Sequence, residues 1–410
     1  MEFRPLLSAL WRNRVGPILV ALQIAVTLTV LVNAAYVIQQ RLATVNAPTG
    51  IDTENVFWVS SEGFTADYSH ASTVQADLYY LNSLPGVVAA ATTHTIPQSQ
   101  SMSGLPFSAE PFALQKKQAP GMIYLASEKI TDTLGLKLVA GRGLSAAAVT
   151  PPSSDFSAAF ASWAPEVLIT KALAQELFPG GDALGKTLHA GLIDRAAKIV
   201  GIVEQFQGRP GSGRGSEVFT QVVLVPAIAP GPTALYMIRT EPGRRDAVMG
   251  QVDKEMEKLQ GGRYISRMET LSDTAARTRA RGRATAILLA VVTVFVVAVT
   301  ALGIFGLAAF TVTARTKQIG TRRAIGARKY HIVRFFLVEN WMITTAGVVI
   351  GCALALAVSV KLSLMFQSPR LPVYYLVGGI LVTWFVGLAA VWIPARRAAA
   401  ISPAVATRPV

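Results

Sequence analysis

ATAILLAVVTVFVVAVTALGIFGLAAFTVT, residues 284–313, carries no charged side chain. As a helix it is roughly 45 Å long at 1.5 Å per residue, against the ~30 Å hydrocarbon layer of a bilayer. It therefore reads as a membrane span that tilts or projects beyond the lipid. Three other apolar runs accompany it, at 17–38, 335–360 and 373–393, and their only charge is Glu339 near one end of the third span. Each is long enough for a spanning helix of about 20 residues. The fold class follows: an integral membrane protein with four transmembrane helices in a 1 + 3 arrangement. A large α+β extracytoplasmic domain, residues 39–283, is inserted between helices 1 and 2. The first run exceeds the ~7–15 apolar residues of a signal peptide, so it reads as an uncleaved anchor.

The 410 residues are 51% hydrophobic with a formal net charge of +14. In a soluble chain that charge would point to nucleic acid; here topology accounts for much of it, and no nucleic acid partner is expected. Arg4, Arg12 and Arg14 lie in the N-terminal segment 1–16, ahead of the first span. Arg315, Lys317, Arg322, Arg323, Arg328, Lys329 and Arg334 fill the loop 314–334, and Arg396, Arg397 and Arg408 the tail 394–410. The short hairpin 361–372 has only Lys361 and Arg370. Basic residues accumulate on cytoplasmic segments, so both termini and the 314–334 loop are read as inside. Arg277, Arg279, Arg281 and Arg283 break the pattern just outside the second span. They read as a solvated helix face, or one touching anionic headgroups.

Residues 39–283 alternate strand-like and helix-like stretches. Strands are expected at Val56–Ser60, Val87–Thr95, Gly121–Ala126, Glu166–Thr170, Thr187–Gly191, Lys198–Val203, Val218–Val225, Ala234–Thr240 and Tyr264–Met268. Helices are expected at Thr73–Leu84, Lys171–Phe178 and Arg244–Leu259. Thr150–Ser157 and Gln207–Ser216 are Gly/Ser/Pro-rich loops. The one cysteine, Cys352, lies in the third span and excludes an intrachain disulfide.

Gly180-Gly-Asp-Ala-Leu-Gly185-Lys186-Thr187 matches the Walker A pattern letter for letter. A phosphate loop needs a strand before it and a helix after it. Here a helix precedes and a strand follows, so the match reads as a turn and no cofactor is expected in this chain. His70, His94, His189 and His331 share no metal-ligand spacing, and no nucleophile elbow is present. A catalytic role is not expected. The spans lack a chain of buried carboxylates, which argues against an ion-coupled transporter. Gln23, Asn33 and Asn340 read as interhelical hydrogen-bonders, and Gly347-Val-Val-Ile-Gly351 as a close-packing site, either within the three-helix cluster or between protomers.

The inside loop carries the sharpest pattern. Lys317, Gln318, Ile319, Gly320, Arg322, Arg323, Ala324, Ile325, Gly326, Ala327 and Arg328 form a short basic amphipathic segment with two glycines. Ile319, Ala324 and Ile325 offer an apolar set for a protein partner to grip. This segment, followed by Glu339, resembles the signature of MacB/FtsX-type ABC transporter permeases, with Gln318 where an acid is usual. The closing Pro394-Ala-Arg-Arg-Ala-Ala-Ala400-Ile401-Ser402-Pro403 resembles the same family. So do Leu84-Pro-Gly-Val87, Leu138-Val-Ala-Gly-Arg142 and Leu177-Phe-Pro-Gly180 with Leu184-Gly-Lys186 in the inserted domain.

The resemblance implies a type VII exporter fold in the inner membrane of a bacterium, with the 39–283 domain periplasmic. It implies a porter-like part (39–115 and 231–270), an inserted lobe (116–230) and a stalk (271–283) continuing from the second helix. It implies a non-catalytic permease that pairs with a second protomer, identical or paralogous, above a dimer of cytoplasmic ABC ATPases. Those separate subunits would bind ATP and Mg²⁺, and 315–334 would be the coupling helix. A periplasmic adaptor and an outer-membrane channel can join such complexes. Expected work is mechanotransmission-driven efflux of peptide, antibiotic or lipid-like substrates. The alternatives are lipoprotein extraction, or regulation of a cell-wall hydrolase or sensor without transport.

Overall fold

The computed structural model describes residues 15–45, 48–101, 103–111, 117–152, 165–191, 195–209, 216–259, 261–366 and 371–401. Arg4, Arg12, Arg14, Arg370, Arg408 and the Ser402-Pro403 end of the tail motif lie outside them, as do parts of the two Gly/Ser/Pro-rich loops. The chain divides into two compact units, one of residues 43–283 and one of residues 1–42 with 284–410. Helix α1 (Val15–Val45) opens the described chain.

The 43–283 unit runs β1 (Val56–Gly63), α2 (His70–Ser83), β2 (Val87–Thr93), β3 (Gly104–Ser108), β4 (Ala119–Ala126) and α3 (Ile130–Leu134). It continues β5 (Leu138–Gly141), β6 (Glu166–Thr170), α4 (Lys171–Leu177), β7 (Thr187–Ala190), β8 (Arg195–Val203) and β9 (Val222–Pro226). It closes with β10 (Thr233–Thr240), α5 (Arg245–Leu259) and β11 (Arg263–Thr270).

Two sheet regions arise. In the first, β11, β1, β10 and β2 lie side by side, all antiparallel. Alternation along β1 sends Phe57 and Val59 to one face, where Val74 and Leu81 of α2 and Val248 and Val252 of α5 cover them. Val56 and Trp58 go to the other face, under Ile130 and Leu134 of α3. Burial on both faces explains the unbroken apolar run of β1. A buried ion pair fastens the helical layer: the Asp77 carboxylate takes the Arg263 guanidinium and, at 2.6 Å, the Tyr236 hydroxyl.

In the second region β4, β3, β7, β8, β6 and β9 are hydrogen-bonded in turn, and β9 returns to pair in parallel with β4. The strands form a closed six-membered ring, with β5 attached to β8 outside it. Alternate residues fill two cores, one with Leu173 and Leu177 of α4 and one shared with α3. The ring takes β3 from the segment ahead of residue 116, so the lobe draws on the stretch read as porter-like. The strand expected from Val218 begins only at Val222, after a 3-10 turn over Ser216–Phe219.

β11 passes directly into α6 (Leu271–Ala314), and the boundary between the two units falls within this helix, after Arg283. Thr270 caps it: its hydroxyl accepts the Asp273 N–H at 3.0 Å and donates to the Asp273 carboxylate at 2.6 Å. Trp58 Nε1 donates to Thr274 at 2.9 Å, and Glu269 pairs with Arg267 and Arg277 at 2.7 and 2.8 Å. Arg277 is therefore an ion-pair partner as well as part of an exposed face.

The second unit contains α1, the remainder of α6, α7 (Thr316–Ala324), α8 (Lys329–Phe366) and α9 (Val373–Ala400). Among the described residues four helices are long and apolar enough to cross a membrane: α1, α6, α8 and α9. Polar residues join them as expected. Gln23 donates to the Val299 carbonyl at 3.1 Å, Asn33 to that of Ala355 at 3.4 Å, and Asn340 to that of Gly387 at 3.0 Å. Thr27 and Thr300 hydroxyls meet at 2.6 Å.

Gly347 and Gly351 face α1. A Cβ on Gly347 would stand 2.7 Å from the Ala21 carbonyl oxygen, and one on Gly351 3.0 Å from Ala25 Cα. The GxxxG seam thus seats the first span against the third, where packing within the three-helix cluster or between protomers was expected.

Candidate coupling site

Helix α7 joins α6 to α8, and its nine residues leave room for about two and a half turns. Ile319 and Gly320 are its buried residues. Ile319 belongs to a core with Ile332 and Phe336 of α8 and Val391, Ala395 and Ala398 of α9. This corrects the apolar set read from sequence: Ile319 anchors α7 inward, and only Ala324 and Ile325 of the three face out.

Arg323 also points inward. Its Nη1 donates to the Ala399 carbonyl at 3.1 Å and to that of Ile401 at 2.7 Å. These are orphan acceptors at the end of α9, where a cation is favoured by the helix dipole as well. Arg315, just before α7, lies 3.0 Å from Glu339 of α8. The lone acid of the apolar runs therefore has its counter-charge on the preceding helix junction.

The end of α7 is a Schellman turn. Gly326 N–H donates to the Arg323 carbonyl at 3.1 Å and Ala327 N–H to that of Arg322 at 3.0 Å. Gly326 has φ +98°, the left-handed region that glycine enters without penalty. The turn projects Ile325, which is 81% exposed.

The residues expected from the sequence to couple separate into two sets. Lys317, Gln318, Arg322, Ala324, Ile325, Gly326 and Arg328 are exposed; Ile319, Gly320 and Arg323 hold α7 in place, and Ala327 is half-buried. Arg322 lies over the Phe335 ring at 5.1 Å. The exposed set presents cations around Ala324 and Ile325, a surface suited to an acidic groove with a hydrophobic socket.

The Walker A match has other geometry. Helix α4 precedes it and β7 starts at its Thr187. Gly185 N–H donates to the Ile199 carbonyl at 2.8 Å and Lys186 N–H to that of Ala183 at 3.2 Å, so these amides are spent within the fold. The histidines are dispersed. His70 bonds the Ala229 carbonyl at 2.9 Å, and burial pushes the His94 imidazole down to about 4. Among the described residues no group of three metal-ligating side chains is assembled.

The Leu138–Arg142 motif has a packing role. Gly141 has φ +78°, and a Cβ there would stand 2.2 Å from the Val200 carbonyl oxygen. Arg142 then meets Glu166 at 2.5 Å.

Residues 18–258 match the model of the MacB-like periplasmic core domain, and residues 290–403 that of the FtsX-like permease C-terminal domain. The macrolide export ATP-binding/permease protein MacB of Wolinella succinogenes is 30% identical over 266 residues, 60% of this chain and 38% of that protein. The probable syringafactin export ATP-binding/permease protein SyfD of Pseudomonas syringae pv. syringae is 27% identical, over 55% of this chain and 35% of its own length. The match thus spans little more than a third of these relatives. The solved periplasmic region of MacB from Actinobacillus actinomycetemcomitans is 12% identical, covering 55% of this chain and 92% of that one, with a TM-score of 0.33.

Proposed function

The chain belongs to the family defined by a MacB-like periplasmic core domain and an FtsX-like permease C-terminal domain, and from that membership we propose that it is the permease of an ABC-type export complex. Its α7 segment is the seat of a cytoplasmic ATP-hydrolysing partner, which binds ATP and Mg²⁺. One observation carries this reading. α7 is locked on its inner side by Ile319 and Arg323, while Ile325, Lys317 and Arg328 are exposed. A segment so fixed transmits force applied to its outer face instead of absorbing it.

The proposed work is mechanotransmission. ATP-driven closure of two ATPase subunits moves α7 in each of two permease protomers. α6 leads to α7 as one uninterrupted helix that begins at a capped junction with β11 and ends at Ala314, with only Arg315 between it and α7. The relatives are named for macrolide and syringafactin export, which supports peptide, antibiotic or lipid-like cargo.

The test is a tagged purification of the full chain in mild detergent, with mass spectrometry and an ATPase assay. An ABC ATPase at near equal stoichiometry, lost in Ile325→Asp, supports the docking assignment. Retention of the ATPase and its stimulation by Ile325→Asp together with Arg328→Glu refutes it.

A further inference from the structure

Two cavities in the membrane unit share Arg315 and Phe336 in their walls. The larger, about 190 Å³, is apolar along Val20 of α1, Ile304, Leu307 and Ala308 of α6, and Ile343 of α8, and polar where Thr311, Arg315, Glu339 and Asn340 enter its wall. Its α6 wall runs from Ile304 to Arg315, roughly 16 Å at 1.5 Å per residue, about half the ~30 Å hydrocarbon layer. The smaller, about 90 Å³, lies at the elbow of α7 and α8 and brings together Arg315, Gln318, Arg322 and His331.

We propose that the two cavities form one site for an anionic phospholipid of the leaflet on the α7 side. One acyl chain lies in the larger cavity and the phosphate in the smaller. The dimensions and the charges agree on this occupant. A largely apolar slot one leaflet deep suits a single chain, and at its Arg315 end, where Glu339 is neutralised by that guanidinium, it meets the smaller cavity. The smaller cavity sets two guanidinium groups, an imidazole and an amide over an apolar floor of Ile319, Ile332, Phe335 and Phe336. From 314 to 338 the chain has seven basic residues and no acid. Glu339 engages one nitrogen of Arg315, a side chain with five N–H donors. Arg322 is steadied by the Phe335 ring, which keeps its planar donors in a fixed place for phosphate. A basic loop lying on a bilayer would use its exposed cations alike. This site uses Arg322 and His331 and needs the apolar slot.

The full-length protein in detergent is titrated with dioleoylphosphatidylglycerol and read by native mass spectrometry. One lipid should be retained by the wild type. Arg322→Ala combined with His331→Ala should lower its affinity about tenfold, the scale of one lost charge-assisted contact. Ala308→Phe, which changes no charge but fills the slot, should do the same; if it fails to fold, the smaller Ala308→Leu replaces it. Arg328→Ala with Lys329→Ala should leave retention unchanged. The proposal is overturned if the slot-filling variant binds as wild type, if the Arg328/Lys329 pair matters equally, or if glycerol phosphate displaces the lipid at equal concentration.

Discussion

The Arg323 guanidinium on α7 donates 2.7 Å to the carbonyl oxygen of Ile401, beyond the end of α9. A basic residue of the segment joining α6 to α8 thus acts as a bolt between two helix ends. Arg323→Ala should lower thermal stability in detergent by about 1.5–3 kcal/mol, the range for hydrogen bonds from a charged group. Ile325→Asp, at an 81% exposed position, should change stability by no more than about 0.5 kcal/mol while losing the ATPase partner. Equal melting of both variants would refute the division of α7 into holding and docking residues.

Gly326 tests the turn itself. A Cβ there meets nothing within 4 Å, so only the φ of +98° opposes substitution. Gly326→Ala should cost about 1–2 kcal/mol, with Gly306→Ala, a helical glycine in open space, neutral or stabilising. Thermal melts of the two variants in the same detergent give the comparison.

The seam between α1 and α8 is tight at backbone level. Gly347→Leu drives side-chain atoms into the Ala21 carbonyl and Ile24, and should destabilise by about 1–3 kcal/mol or more. Ala346→Leu, at an exposed neighbouring position, should be tolerated. Thermal melts of Gly347→Leu and Ala346→Leu, run in one detergent, check the difference.

Arg315 and Glu339 should depend on each other. Arg315→Met alone leaves a carboxylate buried without its cation, at a cost of about 3–5 kcal/mol. Arg315→Met combined with Glu339→Leu should recover most of that loss. A double variant as unstable as the single would mean that the pair does not act as a unit.

In the 43–283 unit, the Arg142 guanidinium bonded to Glu166 holds that carboxyl below its usual range, helped by the Ser145 N–H. A depressed folded-state value means stability is fully present above the ordinary carboxylate pKa of about 4.3 and is lost as pH falls through the lower folded value. Melting temperature should therefore drop on acidification from neutral pH to below about 4, and Arg142→Met should show a smaller drop.

The four spans were legible because apolar runs of that length, almost free of charge, match the thickness of a bilayer and exceed what a soluble core usually needs. Most strands of the inserted domain were legible through their Val/Ile content. β3 was not: Gly104 and Pro106 occupy two of its five positions, and both disfavour strands. β5, four residues long, gives too little pattern to read. At the coupling segment Gly326 announced a turn, but the inward set of Ile319 and Arg323 was hidden. Nine residues hold too few turns to fix a helix face, and the acceptors of Arg323 lie at Ala399 and Ile401, far along the chain. Glu339 stood out in sequence; its partner Arg315 was findable, since an acid in an apolar run calls for a cation within reach.

β1 has a consequence for biogenesis. It is hydrogen-bonded on one side by β10 and on the other by β11, the last two strands of its domain. Strand β1 therefore waits with both edges bare until residue 240 has followed it, and with one edge bare until residue 270. Ring closure waits likewise, since β4 pairs with β9. Pairings of such long sequence separation are slow and leave nascent chains prone to aggregation. The domain's vulnerable period thus coincides with its translation, and a chaperone that shields Val56–Gly63 should raise the yield of folded protein without altering the stability of the finished molecule.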